Sequence, residues 1–245
     1  MRHFLRITLL IIGGLAVLGG IVFFLRFGRL FHESAAPTPL VERVSRPHVV
    51  GDPAIRLDRV HLIAVYFVPR DAEPWREWRD HIEPVLRRVQ AFHRLQFRDA
   101  SVLTYAIHPE PVIGEYDTAW YDGSDTSFGN PHAWEIIRAE LDRRLGAVRQ
   151  GDGIFEARLV LYEGVGALGG IDQILVSSGY LRSPIESIRA SAVFYHELGH
   201  VFGLKDAYTY EHGTPLDEDI MGMGRNRPIG QTYLSENAKK LLGIQ

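Results

Sequence analysis

The stretch from Pro184 to Asp206, PIESIRASAVFYHELGHVFGLKD, leaves the chain little choice of local structure. Ile185, Ile188, Ala192, Tyr195 and Leu198 or Gly199 recur at helical spacing, which predicts one helix ending near Gly203. Glycine enters the left-handed region without penalty, so Gly203 is expected to close the helix and turn the chain back. His196 and His200 then share one helix face, and both imidazoles can reach one metal ion at about 2.0–2.1 Å. Glu197 lies one step round, placed to take a proton from water instead of binding the ion. Asp206 can return from the far side as a third ligand, which leaves a fourth position open.

The rest of the chain alternates strands and helices. His61–Val68, Ser101–Ile107 and Arg158–Tyr162 are β-branched and apolar, and Ile171–Tyr180 reads as one or two short strands. Between them, Trp75, Trp78, Ile82, Val85, Leu86, Val89, Phe92 and Leu95 form one amphipathic stripe. Trp134, Ile137, Leu141, Leu145 and Val148 form another, on a helix from His132 to Val148. Pro74 suits a first helical turn, whereas Pro84 is expected to kink or split the helix. The two tryptophans are expected as core anchors. The glycine-rich run 164–170 lacks the lysine and the spacing of a phosphate loop. Asp122, Ser124, Asp125 and Asn130 offer oxygens of the kind calcium takes, although turns and caps use the same residues. Calcium is therefore the weaker cofactor expectation.

His196-Glu197-Leu198-Gly199-His200-Val201-Phe202-Gly203-Leu204-Lys205-Asp206 resembles the extended zinc motif of the metzincin metalloproteases, with the aspartate third ligand of the snapalysin type. Asp219-Ile220-Met221-Gly222 resembles the Met-turn, whose Met221 would pack beneath the metal. The resemblance covers roughly 184–223. It implies Zn2+ held by His196, His200 and Asp206, with Glu197 as general base in hydrolysis of a protein or peptide substrate. It also implies an α+β fold: a three-layer, α/β-like N-terminal subdomain with a twisted mixed sheet and an antiparallel edge strand, the active-site helix, and a small C-terminal subdomain. Substrate would add to an exposed sheet edge, expected at Gly169–Gly179. The sequence departs from the clan where a tyrosine two residues past the methionine is replaced by Met223, so no tyrosine role is assigned. Glu211, His212, Asp217 and Asp219 are nearby alternatives for the third ligand, and a more distant glutamate would make a gluzincin-like site. Gly203 and the Met-turn favour Asp206.

The 245 residues are 46% hydrophobic and 23% charged, enough for one compact domain with additional segments. Ile7–Leu25 carries no charge and would span about 28 Å as a helix, so residues 1–30 are read as an uncleaved transmembrane signal anchor. Arginines on both sides leave its orientation open; the implied activity places the domain outside the cytoplasm. Residues 31–55 read as a Pro-, Ser- and Ala-rich linker and 56–245 as the catalytic domain. A net charge of −3 offers no field for nucleic acid, and the absence of cysteine excludes disulfides, thiolate zinc ligands and a cysteine nucleophile. Oligomeric state is not encoded in any of these features. Two further readings stay open: a catalytically inactive membrane-tethered binding module, and a zinc hydrolase of a non-peptide amide. A buried histidine pair can also be a metal-free core network.

Overall fold

The computed structural model describes residues 45–123, 130–151, 153–207 and 218–244. The apolar run Ile7–Leu25 lies outside them. Among the described residues no helix is long and apolar enough to cross a membrane.

The chain enters through a short antiparallel hairpin, β1 (His48–Val49) and β2 (Asp52–Arg56). β3 (Arg59–Val68) leads to α1 (Trp78–Phe97), followed by β4 (Val102–Ile107) and the two-residue β5 (Val112–Ile113). Helices α2 (Thr118–Asp122) and α3 (Pro131–Leu145) precede β6 (Gln150–Gly151) and β7 (Ile154–Tyr162). β8 (Ala167–Gly170), β9 (Gln173–Ser177), α4 (Gly179–Arg182), α5 (Glu186–Val201) and α6 (Glu236–Leu241) complete the order.

The main sheet runs β4-β3-β7-β9-β8; β4, β3, β7 and β9 are parallel, and β8 pairs antiparallel with β9 as an edge. Alternation along β3 explains the layers. Leu62, Ala64, Tyr66 and Val68 face α1 and α5 in the larger core, while Val65 and Phe67 face Trp134, Ile137 and Leu141 of α3. The result is the expected α+β fold, helices on both faces of a twisted mixed sheet with one antiparallel edge. Residues 218–244 add a small C-terminal part, tied to α1 where the Leu234 amide donates to Gln96 Oε1 at 3.0 Å.

Several elements differ from expectation. α1 runs unbroken through Pro84 and begins at Trp78, so Pro74 lies outside it. Burial on the sheet holds this helix together despite the missing donor. Trp78 is buried as an anchor, whereas Trp75 is half-buried, with the Arg182 guanidinium 4.9 Å from its ring. Leu95, Leu145, Ile185 and Ile188 fit the apolar stripes on paper but face solvent; Leu95 lies off the buried face of α1, which continues past it through Gln96 and Phe97. The stretch 45–55 is no free linker. Val50 donates to Phe202 O at 2.9 Å, and Arg46 and His48 donate to Gly243 O and Leu242 O at 3.1 and 3.0 Å. Ala167–Gly170, the end of the glycine-rich run, supply the edge strand itself; the expected edge from Gly169 to Gly179 largely folds back as the interior strand β9.

Candidate active site

α5 carries the motif into the core. Ala192, Tyr195 and Leu198 bury one face, and His196 and Glu197 are themselves buried at its C-terminal half. Gly203 has φ +85°, the left-handed turn expected of it, and a Cβ there would lie 2.8 Å from the Val50 carbonyl oxygen. Only glycine fits both demands. The chain then turns back so that Asp206 faces the histidines.

His196 Nε2 and His200 Nε2 stand 3.1 Å apart. Asp206 Oδ1 lies 3.3 Å from the first and 3.4 Å from the second. The opposite ring nitrogens are committed: His196 Nδ1 donates to the Ile220 carbonyl at 2.8 Å, and His200 Nδ1 to the Leu204 carbonyl at 2.9 Å. A carbonyl can only accept, so each Nδ1 carries the proton and each neutral Nε2 presents a lone pair. Two imidazole lone pairs and a carboxylate oxygen thus point at one another. Three acceptors at this separation repel unless a cation lies among them. Ligand bonds of 2.0–2.1 Å in a tetrahedron set the donors about 3.3–3.4 Å apart, close to what is observed. The nitrogen and oxygen donor set is one that zinc accepts.

Glu197 offers a carboxylate within 4.8 Å of the histidine nitrogens. Burial raises its carboxyl above the ordinary range, against the pull of His196, His200, the Gly169 amide and Arg225. Partial burial pushes Asp206 upward too, but positive charge held among the three donors, such as a proton bridging His196 Nε2 to its carboxylate or one on His200, brings it below its usual value. Met221 is buried beneath the helix, where a Cβ on Gly199 would meet its Sδ at 2.3 Å. The packing expected of Met221 therefore has a geometric counterpart under α5, and the same turn also holds His196 through the Ile220 carbonyl.

Of the other acidic candidates for a third ligand, Asp219 is turned elsewhere, its Oδ1 accepting the Met221 amide at 2.9 Å. Glu211, His212 and Asp217 lie outside the described residues. So do Ser124 and Asp125 of the oxygen-rich loop. Asn130 is occupied as the cap of α3, accepting from Ala133 and donating to Asp122 O. Sequence reading took Gly169 only as the start of an edge and missed its close approach to α5, where a Cβ would fall against the Glu197 carbonyl oxygen. A glycine pair just ahead of the motif helix is the signal that could have marked this close approach.

No protein-family profile and no curated protein matches the chain. Among solved structures it is similar to a catalytically inactive OgpA from Akkermansia muciniphila in complex with an O-glycopeptide, at 15% identity and a TM-score of 0.49, covering 84% of this chain and 63% of that one. Archaemetzincin from Methanopyrus kandleri matches at 14% identity and a TM-score of 0.41, over 74% of this chain and 93% of its own. Metalloproteinase-II from Bacteroides fragilis matches at 11% identity and a TM-score of 0.41, over 76% and 52%. The chain thus spans less than two thirds of the length of the OgpA structure.

Proposed function

We propose that the chain is a metzincin-like, zinc-dependent endopeptidase. The observation that carries this reading is the convergence of His196 Nε2, His200 Nε2 and Asp206 Oδ1, with both imidazole protons already committed to backbone carbonyls. Zinc held by these three residues would supply Lewis acidity toward a carbonyl and a water near neutral pH. Glu197, buried and raised toward its protonated form, takes a proton from the attacking water. The same carboxyl then hands that proton to the departing amine. Gly169 and its neighbours on the β8 edge would align an extended peptide beside α5 through backbone hydrogen bonds. The uncharged run Ile7–Leu25 supports a single-pass anchor, and the peptidase activity an extracytoplasmic catalytic domain.

Metal analysis of the purified protein, paired with a peptide-library digest, tests the reading. One zinc per chain with chelator-sensitive cleavage is expected, and Glu197→Ala should keep the zinc while losing at least about a hundredfold in kcat, the scale of general-base catalysis. Zinc without peptide cleavage would favour hydrolysis of a non-peptide amide. Absence of zinc would leave a binding module.

A further inference from the structure

One buried carboxylate has no part in the reaction proposed above. Asp219 is fully enclosed, and its Oδ2 has no hydrogen-bond partner among the described residues. Its other two oxygens are both engaged with a single turn. Oδ1 accepts the Met221 amide at 2.9 Å, and the Asp219 carbonyl accepts the amides of Gly222 and Gly224 at 2.9 and 3.0 Å. The turn is tight enough that a Cβ on Gly224 would lie 2.5 Å from that carbonyl oxygen. A half-satisfied carboxylate is a costly way to stabilise a turn, so what the turn holds becomes the question.

It holds two of the three converging side chains. The Ile220 carbonyl receives His196 Nδ1, which sets that ring's orientation and tautomer. The Met221 carbonyl receives the Ala207 amide at 2.9 Å, which anchors the backbone immediately after Asp206. His200 is held separately, by the Leu204 carbonyl, whose own amide donates to Gly199 O within the end of α5. The three candidate ligands therefore divide into two that depend on the 219–222 turn and one that does not.

We infer that Asp219 is a positioning residue for the metal centre: its carboxylate locks the 219–222 turn, and the turn's carbonyls place His196 and Asp206. This rests on the metal-centre reading above, and the test separates the two. Zinc affinity is measured by chelator competition on the wild type, Asp219→Ala and Asp219→Asn, with imidazole 15N shifts recorded on the zinc-free proteins. Asp219→Ala is expected to weaken zinc binding 10–100-fold. The His196 nitrogens should move toward a mixed-tautomer pattern while those of His200 stay put. Asp219→Asn keeps an acceptor for the Met221 amide and should restore most of the affinity. If Asp219→Ala does not fold, Asp219→Ser, with a shorter and weaker acceptor, carries the same comparison: intermediate affinity supports the inference and wild-type affinity overturns it. Wild-type affinity and an unchanged His196 spectrum in folded Asp219→Ala overturn it while leaving the metal centre standing. A wild type that binds no zinc overturns both.

Discussion

His93 shows how a single side chain ties acid sensitivity to the motif helix. It is fully buried on α1, and stacks on Phe97 with ring centroids 4.1 Å apart. Ser101 donates its hydroxyl proton to the Leu57 carbonyl, so His93 Nε2 must donate to Ser101 Oγ at 2.8 Å, and Nδ1 accepts from Tyr195 Oη at 3.2 Å. Tyr195 directly precedes the first candidate ligand. Burial drives the His93 imidazole down to about 3, whereas in the unfolded chain it titrates near 6.5. The folded group stays neutral while the unfolded one gains a proton, so its contribution is complete above about pH 6.5 and is lost as pH falls toward 3. Between pH 7 and 5 that loss is about 2 kcal/mol, at about 1.4 kcal/mol per unit below 6.5. Urea unfolding of wild type and His93→Gln at both pH values checks it: the wild type should lose about that much more than the variant. At this scale the sequence is readable where spacing alone brings residues together, as for His196, Glu197, His200, Gly203 and Asp206. It is mute about the Ile220 and Leu204 carbonyls, because a backbone acceptor has no letter of its own.

Among the elements, the hairpin from β8 to β9 carries the clearest local conflict. Its two-residue turn places Ile171 at φ +47°, left-handed backbone that a β-branched residue resists. The side chain is mostly exposed, so little burial offsets the strain. Asp172 beside it is fastened to α3 by a bidentate pair with Arg138 at 2.6 and 2.8 Å, and its carbonyl accepts the Arg158 amide. These anchors hold the turn where the isoleucine would not choose to be. Ile171→Asn should relieve the conflict and raise stability by about 1 kcal/mol, read as a shift in the denaturant midpoint with unchanged slope. The sequence located most strands and helices, since periods of two and 3.6 are local properties of β3, α1 and α3. It misjudged the edge strand because Ala167–Gly170 has no alternating pattern; that strand is defined by its approach to α5 and not by its own composition. Ile185 and Ile188 misled for the opposite reason. They keep the helical period after the surface they would cover has ended.

For the whole molecule, the decisive contacts are between segments far apart in sequence. The strand order β4-β3-β7-β9-β8 and the parallel pairing of β3 with both β4 and β7 follow from packing that no local window contains. The same is true of residues 45–57, whose Pro- and Ser-containing composition hides a strap across the C-terminal end of the domain. Val50 reaches Phe202 beside the Gly203 turn, and Leu57 is fully buried in the larger core. A chain beginning at residue 59 should therefore be less stable than one beginning at residue 45, by about 2–5 kcal/mol for the loss of Leu57 alone. Equilibrium unfolding of the two chains measures the difference, and equal midpoints would show the strap to be dispensable.

The strap also fixes how a mechanical load would travel through the domain. A pull on the backbone at Ser45 meets the Arg46–Gly243 and His48–Leu242 hydrogen bonds, and then the Val50–Phe202 bond at the end of the motif helix. Tension on the leading segment would thus be delivered first to the C-terminus and next to the corner from which Asp206 departs, before it reached the central sheet.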